Sequence, residues 1–380
     1  MALTITDQPI TSTIYSVYRS ITYVVVSSSV TISKVQCEVY VNGVLIKTVV
    51  HDPNINTGDT FTFDISGFVR DNISLFNPQI TSSIIQDFVA EGTAKYIQCI
   101  FNEVLTTAGV LVVQATDYTS NTSFAANFVL QHENALGIDS YYQDNLNKLW
   151  FTNMPDNERV RRGETIGIPF VVNSATTNLT ARIVQLDANE AVILTTDYSS
   201  GQTYTQKKTG WININTNFLS SLCVRITTYI LIAGVPKSSQ RYYRIVSESC
   251  QDDKRFWFLN QFGGFESFTF TGEFVEGLEV TSKDYKKALP YFTAFSVMDR
   301  GLKTFRVDAF AKFRTTSRPL NRTEYRWLRE LKTSPEVFIQ EGETFVPIVI
   351  TDRDNYSIEG NDIGQPMTIE YVKANDLIIQ

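Results

Sequence analysis

The sequence predicts a mainly β protein, with tandem immunoglobulin-like β-sandwich domains followed by a β-rich C-terminal domain that carries one α-helix. Three observations support this prediction. The 380 residues include 25 Phe and 18 Tyr, and aromatic residues favour strands. Apolar or alternating runs recur at about ten-residue spacing and end at turn-forming residues. One stretch, residues 322–332, combines helical apolar spacing with capping residues.

Residues 1–135 predict the first β-sandwich domain. Residues 35–41 alternate between apolar and polar side chains, as a strand with one buried face does. Asn42 and Gly43 then predict a hairpin turn into residues 44–50. About seven strands of this kind are expected in an immunoglobulin-like or fibronectin-like domain.

Residues 136–250 predict the second β-sandwich domain. A polar connector, residues 131–145, leads into its strands, and we expect a short helix in it near Tyr141 and Tyr142. Predicted strands follow, among them residues 165–172 and 179–186, with turn signals between them.

Residues 251–380 predict the C-terminal domain, which opens with an aromatic β-hairpin. We expect Gly263 and Gly264 to form a tight two-residue turn between two arms. The first strand of this hairpin is apolar on both faces, and the second strand alternates as a half-buried strand does. Such a surface has to be covered, either by the core of its own domain or by another subunit. The candidate assembly-interface residues are Phe256, Trp257, Phe258, Phe262, Phe265, Phe268 and Phe270.

The predicted helix over residues 322–332 has signals at both ends. Asn321 is a suitable N-cap, and Glu324 stands three residues later, as in a capping box. Tyr325, Leu328 and Leu331 form an apolar stripe that predicts the buried side.

Charge is distributed unevenly along the chain. The whole chain has a net charge of −7, which argues against general nucleic-acid binding, yet residues 300–332 hold ten basic and three acidic residues. This basic segment predicts a solvated face, a surface for an acidic protein partner, or a sequence-independent contact with DNA phosphates. The candidate patch consists of Arg314, Arg318, Arg322, Arg326, Arg329 and Lys332.

No catalytic, cofactor-binding or metal site is predicted. The sequence contains no phosphate-binding loop, GxSxG or HExxH motif, and His51 and His132 stand alone. The acidic stretch that begins at Asp352 loosely resembles a calcium loop, but Tyr356 stands where a ligand would help, so we interpret it as a turn. We therefore predict a protein that is not an enzyme.

Cysteine spacing and hydropathy indicate where the chain is made. No secretory signal opens the sequence, and no apolar run approaches the roughly 20 residues that span a bilayer. We expect no membrane contact and four buried, reduced thiols from a cytosolic setting. Two disulfides, Cys37–Cys99 and Cys223–Cys250, are the alternative.

Three C-terminal segments carry a family resemblance: residues 256–272, 327–342 and 344–352. They resemble virion proteins of tailed phages that infect Bacteroidetes, with the short-tailed crAss-like phages as the nearest comparison. The resemblance implies a ring-forming subunit of the neck or tail that links the portal to the tail and surrounds the DNA conduit. The implied partners are copies of itself, for example in a dodecameric ring, together with the portal and other neck or tail proteins. The implied location is the virion, after assembly in the host cytoplasm.

A different class of function stays open at this point. The chain is alternatively a tail fibre or a receptor-binding or glycan-binding adhesion module. Trp150, Trp211, Tyr141 and Tyr142 are the side chains that would stack on sugars.

Overall fold

The structure is a computed structural model. It describes residues 3–11, 14–27, 34–52, 60–73, 85–89, 94–107, 110–114, 118–126, 150, 152–172, 179–199, 208–247, 253–286, 302–353, 364–374 and 378–379. The protein is mainly β, as predicted. It divides into two units, of which unit 1 is Met1–Ser247 with Asn260–Glu266 and unit 2 is Glu248–Leu259 with Ser267–Gln380. The predicted boundaries of three domains stay predictions.

Unit 1 contains nineteen described strands and two short helical segments. The strands of its first half are β1 Leu3–Asp7, β2 Ile14–Ser16, β3 Thr22–Ser27, β4 Lys34–Val41, β5 Val44–His51, β6 Thr60–Asp64, β7 Ile85–Val89, β8 Ala94–Thr107, β9 Val110–Val113, β10 Tyr118–Thr119 and β11 Ser123–Ala126. The strands of its second half are β12 Glu158–Arg161, β13 Thr165–Val172, β14 Leu179–Leu186, β15 Val192–Ser199, β16 Lys208–Asn215, β17 Arg225–Ile232, β18 Val235–Pro236 and β19 Arg241–Val246. The helical segments are α1, Ser66–Arg70, and a 3₁₀ turn, Thr216–Phe218.

These strands form four sheets. Two have the orders β1-β3-β6 and β2-β11-β8-β4-β5, with β9 and β10 paired to β8. The other two have the orders β12-β19-β17-β14-β15, with β18 on β17, and β13-β16-β7. The pairs β2–β11 and β12–β19 are parallel, whereas the neighbouring β4–β8 and β14–β17 pairs are antiparallel. Because β7 pairs with β16, the two halves of unit 1 share a sheet.

The first two sheets pack on each other through alternate side chains. Strands β3, β4 and β6 bury every second residue, which is the pattern of a half-buried strand. Tyr23 and Phe63 from one sheet meet Phe101 from the other, with ring centroids 5.7 and 5.4 Å apart. This aromatic cluster is the centre of the core in the first half of unit 1.

The cysteines described in unit 1 are buried free thiols. Cys37 and Cys99 lie on the paired strands β4 and β8 in this core. A hydrogen bond with the Cys99 thiol, together with burial, raises the pKa of the Cys37 thiol well above its usual range. Cys223 is also free and buried, while Cys250 lies outside the described residues.

Several turns in unit 1 form where the sequence predicts them. Asn42 and Gly43 both have positive φ and join β4 to β5, as a two-residue hairpin turn requires. Predicted strands 165–172 and 179–186 match β13 and β14 at both ends. The connector helix predicted near Tyr141 and Tyr142 lies outside the described residues.

The described residues of unit 2 form one large sheet and one helix. Its elements are β20 Lys254–Leu259, β21 Phe265–Phe270, β22 Phe274–Lys286, β23 Leu302–Leu320, α2 Arg322–Thr333, β24 Val337–Glu341, β25 Thr344–Ile350, β26 Gln365–Lys373 and β27 Ile378–Ile379. The sheet order is β21-β20-β24-β25-β26-β23-β22, with β27 on β23. Across the sheet, the neighbouring pairs β20–β24, β24–β25, β25–β26, β26–β23 and β23–β22 are antiparallel.

The predicted two-residue turn of the aromatic hairpin is wrong. A five-residue loop joins β20 to β21, and of the two glycines only Gly263 has a positive φ. The side-chain oxygen of Asn260 accepts hydrogen bonds from the backbone N–H groups of Phe262 and Gly264 at 3.0 and 2.9 Å. This local bonding by an Asn side chain stabilises the wider loop.

The helix α2 confirms its prediction to within one residue. The Asn321 side chain accepts hydrogen bonds from the Thr323 and Glu324 N–H groups, both at 2.9 Å, and the Glu324 carboxylate accepts from the Asn321 N–H at 2.8 Å. Leu328 and Leu331 are buried, as the apolar stripe predicts, and Trp327 is buried beside them.

Candidate functional site

The seven aromatic residues predicted at an assembly interface are buried within the chain. Phe256, Trp257, Phe258 and Phe270 are inaccessible to solvent, and Phe262, Phe265 and Phe268 are nearly so. The structure therefore favours the domain-core interpretation of the hairpin. A role in subunit contacts stays a prediction for these residues.

Within unit 2, Phe256, Phe258 and Phe268 of the aromatic hairpin are packed by further aromatic side chains, whereas residues 260–266 of the hairpin belong to unit 1. Phe258 and Phe268 lie 5.9 and 5.8 Å from the Trp327 ring of α2, and Phe256 lies 5.3 Å from Tyr371. Strand β21, the second strand of this hairpin, is more buried than its alternation predicts. Arg255 is itself buried and donates hydrogen bonds to the Ser267 and Thr269 hydroxyl groups, at 2.7 and 2.9 Å.

Half of the predicted basic patch is engaged in ion pairs within unit 2. Arg318 contacts the Glu324 carboxylate with both terminal nitrogens at 3.0 Å, which also supports the capping box. Lys332 is buried, and its Nζ lies 2.9 Å from the Asp352 carboxylate. Arg314 lies 3.6 Å from Glu273. These pairs offset much of the positive charge that the sequence count gives to residues 300–332.

The other three residues of the patch lie on the exposed side of α2. Arg322, Arg326 and Arg329 are all exposed, as their spacing predicts. A contact with DNA or with an acidic partner stays a prediction, and these three arginines are the residues best placed for it.

The described surface of unit 2 has an unusual feature in the hairpin of β22 and β23, which we call the arm. It comprises residues 274–286 and 302–315, which pair in one antiparallel ladder. At its base, the Phe313 ring stacks between Phe274 and Tyr371, with centroids 6.1 and 5.3 Å away. Beyond this stack nearly all described side chains of β22 are exposed, so the arm extends away from the core.

The two faces of the arm differ in chemistry. The register sets Leu278 opposite Ala311 and Val280 opposite Ala309, so the middle of one face is apolar, between Glu276 and Asp284. Leu278 is 62% exposed and Val280 is 53% exposed. Alternating strands normally bury their apolar side chains, and an exposed apolar face marks a surface that a partner covers.

The opposite face of the arm is charged. Arg306 donates a hydrogen bond to Asp308 at 2.7 Å, and Lys312 lies 2.9 Å from Glu370 on β26. The hydrogen bond and the charge of Glu370 raise the pKa of the Lys312 ammonium group. The arm thus has apolar side chains on one face and ion pairs on the other.

Sequence reasoning missed the arm. Its alternation at Leu278 and Val280 is the same signal that a core strand gives. Alternation in a sequence also does not show how far a strand extends beyond the core, and β22 and β23 run to 13 and 19 residues.

Unit 1 has an exposed apolar strand of its own. All four side chains of β9 are exposed, with Val110 at 63%. The strand is covered on one edge by β8. It is a second candidate contact surface.

The remaining candidates from the sequence do not form a site among the described residues. His51 packs against the Phe63 ring at 4.7 Å, while Trp150 and Trp211 are buried and so do not present rings for stacking on a sugar. Asp352 pairs with Lys332. Outside the described residues lie His132, Tyr141, Tyr142, Tyr356 and most of the calcium-like loop.

No cluster of three or more His, Cys, Asp or Glu side chains in the described ranges is arranged to hold a metal ion. None of the helices in these ranges has the length and hydropathy to cross a membrane.

Neither the protein-family models nor the curated proteins match this chain.

Proposed function

We propose that this protein is a non-enzymatic structural subunit of a phage virion. In this proposal it forms a ring of copies, such as a dodecamer, in the neck or tail. The ring links the portal to the tail, contacts neighbouring neck or tail proteins and surrounds the DNA conduit. The protein is assembled in the host cytoplasm and then resides in the virion.

The observation that carries the proposal is the exposed apolar face of the arm. Leu278 and Val280 stand in water in the single chain, which is unfavourable by about 25 cal/mol for each Å² of apolar surface. A neighbouring copy or another virion protein that covers this face removes that cost. Closed rings repeat one such contact around an axis, so every copy has its surface covered.

The family resemblance supports the same proposal. The three segments that carry it fall in β20, β21, α2, β24 and β25, which form the aromatic part of unit 2. We further propose that the β-rich halves of unit 1 are tandem immunoglobulin-like domains. The face-to-face packing of its first two sheets supports this.

Electron microscopy of the purified full-length chain tests the proposal. We expect ring-shaped particles with rotational symmetry. The double variant Leu278→Ser with Val280→Ser removes apolar side chains from the exposed face of the arm, so we expect folded protein with few or no rings. Circular dichroism that matches the parent chain checks the fold.

A matched control uses an equally exposed leucine elsewhere. Leu222 in unit 1 is 69% exposed and lies outside the strands, so Leu222→Ser should leave rings intact. Single chains at every concentration, with no rings, would contradict the proposal. Binding on a glycan array by those single chains would favour the adhesion module instead.

A further inference from the structure

Strand β22 is an edge strand. Among the described strands it pairs only with β23, and it ends the sheet order. Alternate residues of an edge strand direct their N–H and C=O groups away from the sheet, and these groups can pair with another strand. With 13 residues, β22 offers a long edge of this kind.

The charges along β22 differ between its two halves. Glu276 and Glu279 lie in its first half, whereas Lys283 and Asp284 lie in its second half, on opposite faces of the strand. When two identical strands align antiparallel, the first half of each runs beside the second half of the other. A strand with this pattern attracts a second copy of itself and repels a parallel alignment.

The charges also select one register. Only alternate residues direct their N–H and C=O groups to the open edge, so two copies of β22 can pair only odd residue with odd residue and even with even. In each such register one residue, the centre, lies opposite the same residue of the other copy. Centring on position 279 or 283 sets like charges face to face, and centring on 280 sets Glu276 opposite Asp284. Centring on Thr281 sets Glu279 opposite Lys283 twice, with no like charges opposed, and centring on 282 forms no ion pair. The Thr281 register also sets Glu276 opposite position 286, a lysine in the sequence.

The ladder within the chain gives an independent reason for an acidic neighbour at Lys283. Lys283 lies directly opposite Arg306 on β23, and like charges at opposed positions destabilise a sheet. Arg306 already donates a hydrogen bond to Asp308 on its own strand. A carboxylate on the open side of Lys283 would offset the repulsion.

We infer that β22 pairs antiparallel with β22 of a second copy of this chain, with Thr281 opposite Thr281 and Glu279 opposite Lys283. The contact is two-fold, so each ion pair occurs twice. It also sets the two exposed Val280 side chains as diagonal neighbours, about 7–8 Å apart, on the apolar face. This pairing is a contact additional to those of the proposed ring. Neighbouring copies in a ring meet through two different surfaces, whereas the β22 pair uses the same surface on both copies.

Cysteine cross-linking tests the register. Thr281 is exposed, so we expect Thr281→Cys to leave the fold of unit 2 unchanged, and the Cys250→Ser background removes the one cysteine that lies outside the described residues. Circular dichroism that matches the parent chain checks the fold of the double variant. Opposed residues of an antiparallel pair lie about 4.5–5.5 Å apart at Cα, within disulfide reach. Under mild oxidation we expect most of the chain to run at twice its mass of 43.0 kDa on a non-reducing gel.

The matched control is Lys283→Cys in the same background. In this register two copies of position 283 are four residues out of alignment, about 13 Å apart, so we expect several-fold less cross-linking. An equimolar mixture of Glu279→Cys and Lys283→Cys should cross-link well. Absence of the Thr281→Cys dimer, or a stronger Lys283→Cys dimer, would overturn the inference.

Charge reversal provides a second test in solution. Glu279→Lys sets lysine against lysine at two places, so the dimer dissociation constant should rise about tenfold or more at low salt. Adding Lys283→Glu should restore it, and Glu343→Lys, at an exposed turn, should change it little. No effect of Glu279→Lys would count against the pairing. Dimers without rings would overturn the proposed ring alone, and rings without the Thr281→Cys cross-link would overturn this inference alone.

Discussion

In unit 2, the role of a basic side chain depends on the residue it contacts more than on the net charge of its segment. Arg318 and Lys332 both come from the basic stretch, yet each is held by a carboxylate, Glu324 and Asp352. Both pairs are largely shielded from solvent, so removal of either carboxylate would leave a costly unpaired charge. Arg318 and Lys332 therefore stabilise the fold of unit 2 more than they form a surface for a partner.

In unit 1, the backbone at Gly210 lies so close to a neighbouring side chain that a larger residue does not fit there. This glycine on β16 lies opposite Phe170 on β13, and a Cβ atom at Gly210 would stand 2.1 Å from Cζ of the Phe170 ring. Phe170 is completely buried, so its ring has no free space to enter.

We predict that Gly210→Ala destabilises the protein. Overpacking in a filled core costs about 1–3 kcal/mol, which should lower the midpoint of urea unfolding. The control is Gly67→Ala in α1, where no atom lies within 4 Å of the added carbon. That change should be neutral or slightly stabilising, because alanine is preferred in helices. Equal midpoints for the two variants would contradict the described packing of Phe170.

Helix α2 shows which elements the sequence can predict. Its start and end follow from signals within a dozen residues, and these are the Asn321 cap, the Glu324 carboxylate and the apolar spacing. Strands β13 and β14 were equally well predicted from local alternation. In contrast, the loop after β20 was wrongly predicted, since the side-chain bonds of Asn260 outweighed the preference of two glycines for a tight turn.

We predict that Asn321→Ala lowers the free energy of unfolding by about 1 kcal/mol. The change removes two hydrogen bonds to the first turn of α2, at Thr323 and Glu324, and loss of an N-cap typically costs about that much. Chemical denaturation monitored by circular dichroism measures the change. Arg326→Ala, on the exposed side of the same helix, should stay within about 0.5 kcal/mol of the parent chain. A loss as large in Arg326→Ala would indicate that the cap is not the cause.

At the scale of the molecule, local pattern does not determine which strands become neighbours. The pairs β4–β8 and β20–β24 join segments far apart in sequence, and β7 pairs with β16 across the two halves of unit 1. Local alternation is the same for a strand in any of these positions. Pairing depends on how the apolar faces pack together, which is a property of the folded chain.

The same limit explains the candidate surface. From the sequence, the aromatic hairpin has to be covered either by the core of its own domain or by another subunit. In the folded chain Phe256 and Phe258 are covered by Trp327 and Tyr371, while Leu278 and Val280 of the arm are exposed. Hydrophobicity in a sequence identifies surfaces that have to be covered, but it does not show which of them the chain covers itself.

The central claim is that this chain associates with copies of itself through exposed sheet surface. Its most direct test is the mass of the purified full-length protein, measured by sedimentation equilibrium over a wide range of concentrations. We expect masses that are multiples of 43.0 kDa and that fall towards the single-chain value on dilution and in the Leu278→Ser, Val280→Ser variant. A mass of 43.0 kDa for the parent chain at every concentration would contradict the claim.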